Sequence, residues 1–140
     1  MLTIGHRGAR GYIAENTLES IQKALDLNVD GIEIDVFRCA SGEIVVFHDK
    51  KLKRLTGHNG LIEETTFEEL KNILVAGRYR IPTLQQVLEK IDGKILLNVE
   101  LKGENTAIPT ATILKQYLSD SQSDIKKLIV SSKNWKELTL

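Results

Sequence analysis

The stretch Asp30-Gly31-Ile32-Glu33-Ile34-Asp35-Val36-Phe37 decides the fold of this chain. Its β-branched residues alternate with two carboxylates, a pattern typical of a buried β-strand. Side chains on a strand point alternately to its two faces, so Glu33 and Asp35 share one face and lie about 7 Å apart along the chain. Two adjacent buried anions are costly unless a cation lies between them. The stretch therefore predicts a strand that carries a metal site.

Three further apolar runs end in charged residues. They are residues 2–4 before His6 and Arg7, residues 44–47 before His48 and Asp49, and residues 96–102 with Glu100 and Lys102 on one face. Sites on α/β sheets and barrels collect at the carboxyl ends of the strands, because the loops open there while the opposite ends pack. We therefore expect these residues to converge on one site, with Glu100 as its third carboxylate.

Composition limits the classes of function that the chain can have. With 140 residues, 41% hydrophobic and 27% charged, it can form one core and one domain. Lys plus Arg equals Asp plus Glu at 19 each, so we expect no nucleic-acid partner. The absence of a signal-peptide pattern and of an apolar run of about 18 residues predicts no membrane insertion and a cytoplasmic location. The single cysteine, Cys39, excludes an internal disulfide.

Capping motifs predict the helices between the strands. An Asn or Thr followed three residues later by Glu or Gln satisfies the free N–H groups at a helix start. Such pairs are Asn16 with Glu19, Thr66 with Glu69, Thr83 with Gln86 and Asn134 with Glu137, and a further helix is predicted near residues 106–118. Together with a strand at 127–130, they give a repeating βα order.

The short connection after the second strand indicates an interruption of this order. About six residues separate residues 30–37 from the next run at 44–47, whereas a parallel crossover needs a dozen or more. We therefore expect residues 44–47 to form an antiparallel hairpin with the second strand and to open an insert over residues 38–80.

The carboxyl end of the chain carries the last capping motif. The pair Asn134 and Glu137 predicts a helix that is cut at Leu140, and Trp135 is expected to face the core. Domain ends normally fall in linkers, and four βα units are about half of a barrel of roughly 250 residues. We therefore expect residues 1–140 to form one partial barrel domain.

Six motifs in the order of the chain resemble the N-terminal half of the glycerophosphodiester phosphodiesterase family. They are His6-Arg7-Gly8, Glu15-Asn16-Thr17, Glu33-Ile34-Asp35, His48-Asp49, Pro82-Thr83-Leu84 and Glu100-Leu101-Lys102. The resemblance covers the whole chain and implies an α/β fold, a TIM (β/α)8 barrel of which about the first four βα units are present. Ala14 stands where the family commonly has Pro, and Lys133 and Trp135 replace the aromatic residue and the His of the family's Ser-Ser-Phe-Asn-His segment.

The same resemblance implies a set of site residues and a reaction. Metal ligands would be Glu33, Asp35 and Glu100, general acid and base would be His6 and His48, and the substrate would be bound by Arg7, Lys102 and Glu15. The implied cofactor is Mg²⁺ or Ca²⁺, because hard carboxylate oxygens suit these ions rather than zinc. The implied reaction is hydrolysis of a small glycerophosphodiester to glycerol 3-phosphate and an alcohol.

Other interpretations stay open from the sequence. Glu33 and Asp35 could lie on a solvated edge strand, and each histidine alone could be an ordinary surface or core residue. The chain could be a catalytically silent half barrel that binds phosphate or a partner chain and self-associates through open sheet edges. It could also be a related phospholipase acting on lipid head groups.

Overall fold

A five-stranded sheet lies at the centre of the structure, a computed structural model that describes residues 1–139. The strands of the chain are β1 Ile4–His6, β2 Gly31–Arg38, β3 Ile44–Val46, β4 Leu74–Val75, β5 Tyr79–Arg80, β6 Leu96–Leu101 and β7 Leu128–Ser132. In the main sheet β1, β2, β6 and β7 are parallel neighbours in that order, and β3 pairs with β2. The strands β4 and β5 form a separate two-stranded ribbon.

Residues 1–139 also form five helices and three short 3-10 helices. The helices are α1 Leu18–Asp26, α2 Lys53–Thr56, α3 Phe67–Leu70, α4 Leu84–Ile91 and α5 Ala107–Ser121, and the 3-10 helices are Ile62–Glu64, Ile125–Lys127 and Trp135–Thr139. Thr66 and Thr83 cap α3 and α4 in complete capping boxes, which confirms both predictions. Within residues 1–139, no helix has the length and apolar character that crossing a bilayer requires.

Strand β2 is buried at every residue except Arg38, and it fixes the register of its neighbours. Its apolar residues Ile32, Ile34 and Val36 have no exposed surface, because they pack in the main core under α1 and α4. On the opposite face, Glu33 lies beside His6 of β1 and Asn98 of β6 in the pairing register, and Asp35 lies beside Glu100. The register therefore gathers charged side chains on one face of the sheet.

The predicted hairpin is confirmed. Strand β3 runs antiparallel to the end of β2, with Val36 opposite Val46 and Arg38 opposite Ile44. The segment that follows packs a second apolar cluster of its own, which includes Phe47, Leu52 and Ile62. We propose on this basis that residues 38–80 form one insert within the single domain.

Three local predictions are wrong, and one of them is the capping box of Asn134 with Glu137, because the Glu137 carboxylate binds a distant helix instead. The cap of α1 is Thr17, whose hydroxyl accepts a hydrogen bond from the Ser20 N–H, and not Asn16. Trp135 does not face the core, since it is 68% exposed on the 3-10 helix Trp135–Thr139. Asn16 does not cap the helix because its side chain is hydrogen-bonded to Asp35.

Glu137 is buried and caps a distant helix. Its carboxylate accepts hydrogen bonds from the N–H groups of Asn105 (2.9 Å), Thr106 (3.1 Å) and Ala107 (2.9 Å), and from the Thr106 hydroxyl (3.2 Å). Those N–H groups begin α5 and have no partner within the helix. Burial acts to raise the pKa of Glu137, but the hydrogen bonds outweigh it and lower the pKa below its ordinary 4.5.

We expect Glu137→Gln to destabilise the fold by roughly 1–3 kcal/mol, because hydrogen bonds to a charged acceptor become bonds to a neutral one. Glu89→Gln, an exposed change of the same kind on α4, is the control and should have little effect. Urea unfolding at pH 7 measures both. Because the pKa of Glu137 is lowered, its stabilisation is present above pH 4.5 and is lost as the pH falls below that value. Equal midpoints for the two variants would contradict the capping role.

Candidate functional site

Three carboxylates of β2 and β6 converge on one face of the sheet. Oxygen atoms of Glu33, Asp35 and Glu100 all lie within 4.8 Å of one another. Asp35 is 1% exposed and Glu33 8% exposed, so two of these anions are withdrawn from water. The predicted convergence of the three residues is therefore present in the structure.

The electrostatics of Glu33 favour a cation beside its carboxylate. Burial, followed by the nearby charge of Asp35, raises the pKa of Glu33 from 4.5 to about 7. Its Oε1 atom is buried and has no hydrogen-bond partner among residues 1–139. An oxygen-only donor set with a free buried oxygen fits a hard divalent cation such as Mg²⁺ or Ca²⁺.

Arg7 links the carboxylates to the loop after β1. It adopts a positive φ of 55°, a conformation that is uncommon for residues other than glycine and that clusters at functional sites. In this conformation its N–H donates to Glu33 Oε2 (3.1 Å), its Nη1 donates to Glu15 Oε1 (3.0 Å), and its Nε lies 3.3 Å from Asp35 Oδ2.

The residue after Arg7 must be glycine. Gly8 has a φ of 78°, and a Cβ atom there would lie 2.8 Å from the carbonyl carbon of Ser20 in α1. The carbonyl oxygen of Arg7 accepts a hydrogen bond from the Ser20 hydroxyl (3.0 Å). The close approach of this loop to α1 thus holds Arg7 in place.

Lys102 supplies a second cation beside the carboxylates. Its Nζ donates to Glu100 Oε1 (3.0 Å) and lies 3.6 Å from Asp35 Oδ1. The side chain is 16% exposed, so it lies at the edge of the site. Two basic side chains, Arg7 and Lys102, therefore flank the three acidic ones.

The two predicted catalytic histidines have different environments. His6 is half exposed, and its Nε2 lies 3.6 Å from Glu33 Oε2. Partial burial, followed by the charges of Arg10 and Arg7, lowers the pKa of His6 below 6.5. The Nδ1 of His48 lies at hydrogen-bond distance, 2.7 Å, from Asp49 Oδ1.

Two residues of the site were missed in the sequence. The buried side chain of Asn16 donates to Asp35 Oδ2 (3.1 Å) and accepts from the Asp35 N–H (3.4 Å), so it holds a proposed ligand. Arg54 of α2 donates to Asp49 and Glu15. Asn16 lies within a motif but was assigned as a helix cap, and no local pattern marks Arg54.

The structure thus gathers the predicted site residues in two connected groups. The first holds Glu33, Asp35, Glu100 and Lys102, with His6 beside it, and the second holds Glu15, His48 and Asp49. Arg7 joins the groups because it contacts Glu15 and Asp35. Their individual roles stay predictions.

Known proteins are similar to this chain in sequence and in fold. The glycerophosphodiester phosphodiesterase of Caldanaerobacter subterraneus subsp. tengcongensis is 38% identical over 109 residues, which are 72% of this chain and 45% of that protein. Lysophospholipase D of Homo sapiens is 30% identical over 129 residues, which are 81% of this chain and 41% of that protein. The chain spans about half the length of such curated relatives.

A solved structure matches almost the whole chain. The Oleispira antarctica phosphodiesterase, solved in complex with the product sn-glycerol-3-phosphate, has a TM-score of 0.86 and 33% identity, and the match covers 99% of this chain and 60% of that one. The α/β fold described above therefore corresponds to part of the TIM barrel of these enzymes. The model of the glycerophosphoryl diester phosphodiesterase family matches residues 6–140. The chain belongs to the glycerophosphoryl diester phosphodiesterase family.

Proposed function

We propose that the protein hydrolyses glycerophosphodiesters to glycerol 3-phosphate and an alcohol, with a divalent metal ion as cofactor. The observation that carries the proposal is the convergence of three carboxylates with Arg7 and Lys102 on one sheet face. The names of the relatives and the product in the Oleispira antarctica complex support this substrate class.

Arg7 and Lys102 would bind the phosphodiester. An anionic phosphate gains negative charge on its free oxygens during in-line displacement, so fixed cations beside it lower the barrier. Arg7 is held by Glu15 through a 3.0 Å hydrogen bond and by its own backbone N–H on Glu33. Glu15 would thus contribute to substrate binding by orienting the guanidinium.

His6 and His48 would transfer the protons. An oxygen nucleophile forms a bond to phosphorus as the bond from phosphorus to the leaving alcohol breaks, so one imidazole must accept a proton and the other must donate one. Imidazoles suit both tasks near pH 7. The lowered pKa of His6 favours its neutral form, which is the form a general base needs.

Glu33, Asp35 and Glu100 would hold the metal ion. When bound, Mg²⁺ or Ca²⁺ supplies a Lewis acid that stabilises charge on the phosphoryl oxygens. Two features of Glu33 support this assignment. Its Oε1 has no hydrogen-bond partner among the described residues, and its raised pKa indicates that the carboxylate has too little positive charge beside it. Asn16 would orient the Asp35 carboxylate through its hydrogen bond to Oδ2.

A direct assay tests the proposed function. We expect the protein with Mg²⁺ or Ca²⁺ to convert glycerophosphocholine into glycerol 3-phosphate, detected by ³¹P NMR, and chelation to stop the reaction. A micellar lysophospholipid is the second substrate, because the similarity to a lysophospholipase D favours lipid head groups as the alternative. Turnover of the micellar substrate alone would replace the first proposal by the second.

The open ends of the sheet favour self-association. Within residues 1–139, β1 pairs with β2 only and β7 pairs with β6 only, and Ile4, Ile129 and Val130 of these strands are 42%, 44% and 41% exposed. Unpaired strands invite pairing with another chain. We propose that these 140 residues either self-associate or form part of a longer barrel, and that as a monomer they are essentially inactive. Light scattering with the same assay tests this, and an active monomer would refute it.

The cytoplasmic location stays a prediction.

A further inference from the structure

Arg54 bridges two carboxylates of the site from within the insert. Its Nε donates to Asp49 Oδ2 (2.6 Å), and its Nη2 donates to both Asp49 Oδ1 (2.8 Å) and Glu15 Oε1 (2.6 Å). The contact with Asp49 is bidentate, the geometry in which a guanidinium fixes both the position and the plane of a carboxylate. Arg54 therefore ties α2 to the loop after β1.

Asp49 in turn fixes the imidazole of His48. The two are joined by a 2.7 Å hydrogen bond between Oδ1 and Nδ1. Hydrogen bonds from Arg54, and then from His48, lower the pKa of Asp49 to about 2 against the opposing effect of burial. An ionised carboxylate only accepts hydrogen bonds, so Nδ1 must carry the proton and the neutral ring keeps Nε2 as an acceptor.

The position of Arg54 also explains how the carboxylates of Glu15 and Asp49 lie together beside His48. Atoms of Glu15, His48 and Asp49 are within 4.8 Å of one another, a spacing at which a positive charge reduces the repulsion between the two carboxylates. The Arg54 guanidinium supplies that charge, and Arg7 shares the Glu15 oxygen. Removing Arg54 would leave Glu15 and Asp49 to repel each other beside His48.

We propose that Arg54 is a positioning residue that holds Asp49 against Nδ1 of His48 and thereby selects the imidazole tautomer with a free Nε2. The catalytic consequence rests on the proposed function, because only a proton-transferring His48 needs that tautomer. The structural claim about the tautomer stands on the hydrogen bonds alone.

Long-range ¹H–¹⁵N NMR of the histidine rings in the whole chain tests the proposal without an activity measurement. In the neutral form of the His48 ring, we expect the Nδ1–H tautomer to dominate in the native protein. Arg54→Gln and Asp49→Asn should each lower the population of this tautomer by several-fold. Arg54→Lys should retain an intermediate population, because lysine keeps the positive charge but cannot make the bidentate contact with Asp49.

Arg78→Gln is the matched control, since Arg78 is an exposed arginine of the same insert that packs over the Tyr79 ring. It should leave the His48 signals unchanged. A native tautomer population in Arg54→Gln would overturn the proposal. If Arg54→Gln loses the native amide spectrum, Arg54→Lys takes its place. A native tautomer population in Arg54→Lys, measured on protein with native dispersion of the amide signals, would then overturn the proposal.

Kinetics separate this proposal from the proposed function. In protein that turns over a glycerophosphodiester, Arg54→Gln should lower kcat by roughly 10–100-fold with little change in KM, and Arg54→Lys should recover part of the loss. If the native chain shows no turnover while Arg54→Gln still lowers the population of the Nδ1–H tautomer, the proposed function is contradicted and the role of Arg54 is upheld. If the native chain shows turnover while Arg54→Gln leaves the tautomer population unchanged, the proposed function is upheld and the role of Arg54 is contradicted.

Discussion

His48→Ala and His6→Ala are each expected to lower kcat for glycerophosphodiester hydrolysis by about 10²-fold or more, the usual contribution of general acid or base catalysis. Both side chains are partly exposed, 51% for His6 and 28% for His48, so neither change should cost much stability. Steady-state kinetics with thermal unfolding of the same samples measures both effects. The pH profile of kcat for the native protein should be bell-shaped, because the imidazole that acts as acid must be protonated and the one that acts as base must be neutral.

The third histidine provides the control. His58 is exposed in the insert, with its Nδ1 3.1 Å from the Thr56 carbonyl oxygen, and it contacts none of the proposed site residues. His58→Ala should keep native kinetics. Native turnover in His6→Ala or His48→Ala would contradict the assigned role, and a parallel loss of stability and activity would instead favour a structural role for that histidine.

Mg²⁺ or Ca²⁺ is expected to raise the melting temperature, and Glu33→Gln combined with Asp35→Asn is expected to abolish the rise. A ligand that binds only the folded state at about 100 times its Kd adds roughly 2.7 kcal/mol to the free energy of unfolding. The double change removes two of the three converging carboxylates. Differential scanning fluorimetry with and without a chelator measures the shift.

A control with the same loss of charge separates binding at the site from a general ionic effect. Glu89→Gln with Asp120→Asn changes two exposed residues on α4 and α5. This variant should keep the full metal-induced rise. A rise that persists in Glu33→Gln with Asp35→Asn would refute the metal assignment.

Without metal, the folded protein is expected to lose stability as the pH rises from about 4.5 to about 7. The pKa of Glu33 is 4.5 ordinarily and about 7 in the fold, so over this range the folded state binds more protons than the unfolded state. The contribution of Glu33 is therefore fully present below pH 4.5 and lost as the pH rises through 7. Glu33→Gln should flatten the curve measured by urea unfolding with a chelator. An unchanged slope in Glu33→Gln would show that another group titrates.

The strands of the main sheet could be predicted from the sequence because the pattern in each is local, whereas the ribbon of β4 and β5 was not predicted. Alternation in residues 30–37 placed Glu33 and Asp35 on one face, and the short connection before Ile44 required a hairpin. The capping boxes at Thr66 and Thr83 were found because both partners lie three residues apart. Each of these features is set by bonds or steric limits within a few residues.

The errors concern side chains whose partners are far away in the sequence. Asn16 and Thr17 are adjacent and chemically similar caps, and the choice between them depends on Asp35, which lies 19 residues from Asn16. Glu137 was assigned to a capping box with Asn134, yet its carboxylate binds the start of α5 some 30 residues away. Local patterns carry no information on such contacts.

The sequence by itself determined the parallel sheet, the hairpin after β2 and the face on which the carboxylates converge, because strand periodicity and loop length act over a few residues. Only the tertiary structure decided that Arg54 of the insert meets Asp49 and Glu15, and that Asn16 holds Asp35. Glu15 and Arg54 are 39 residues apart, and such a pair depends on how the insert packs against the sheet. Hydrogen bonds between distant segments form only where the buried apolar surfaces have already placed them.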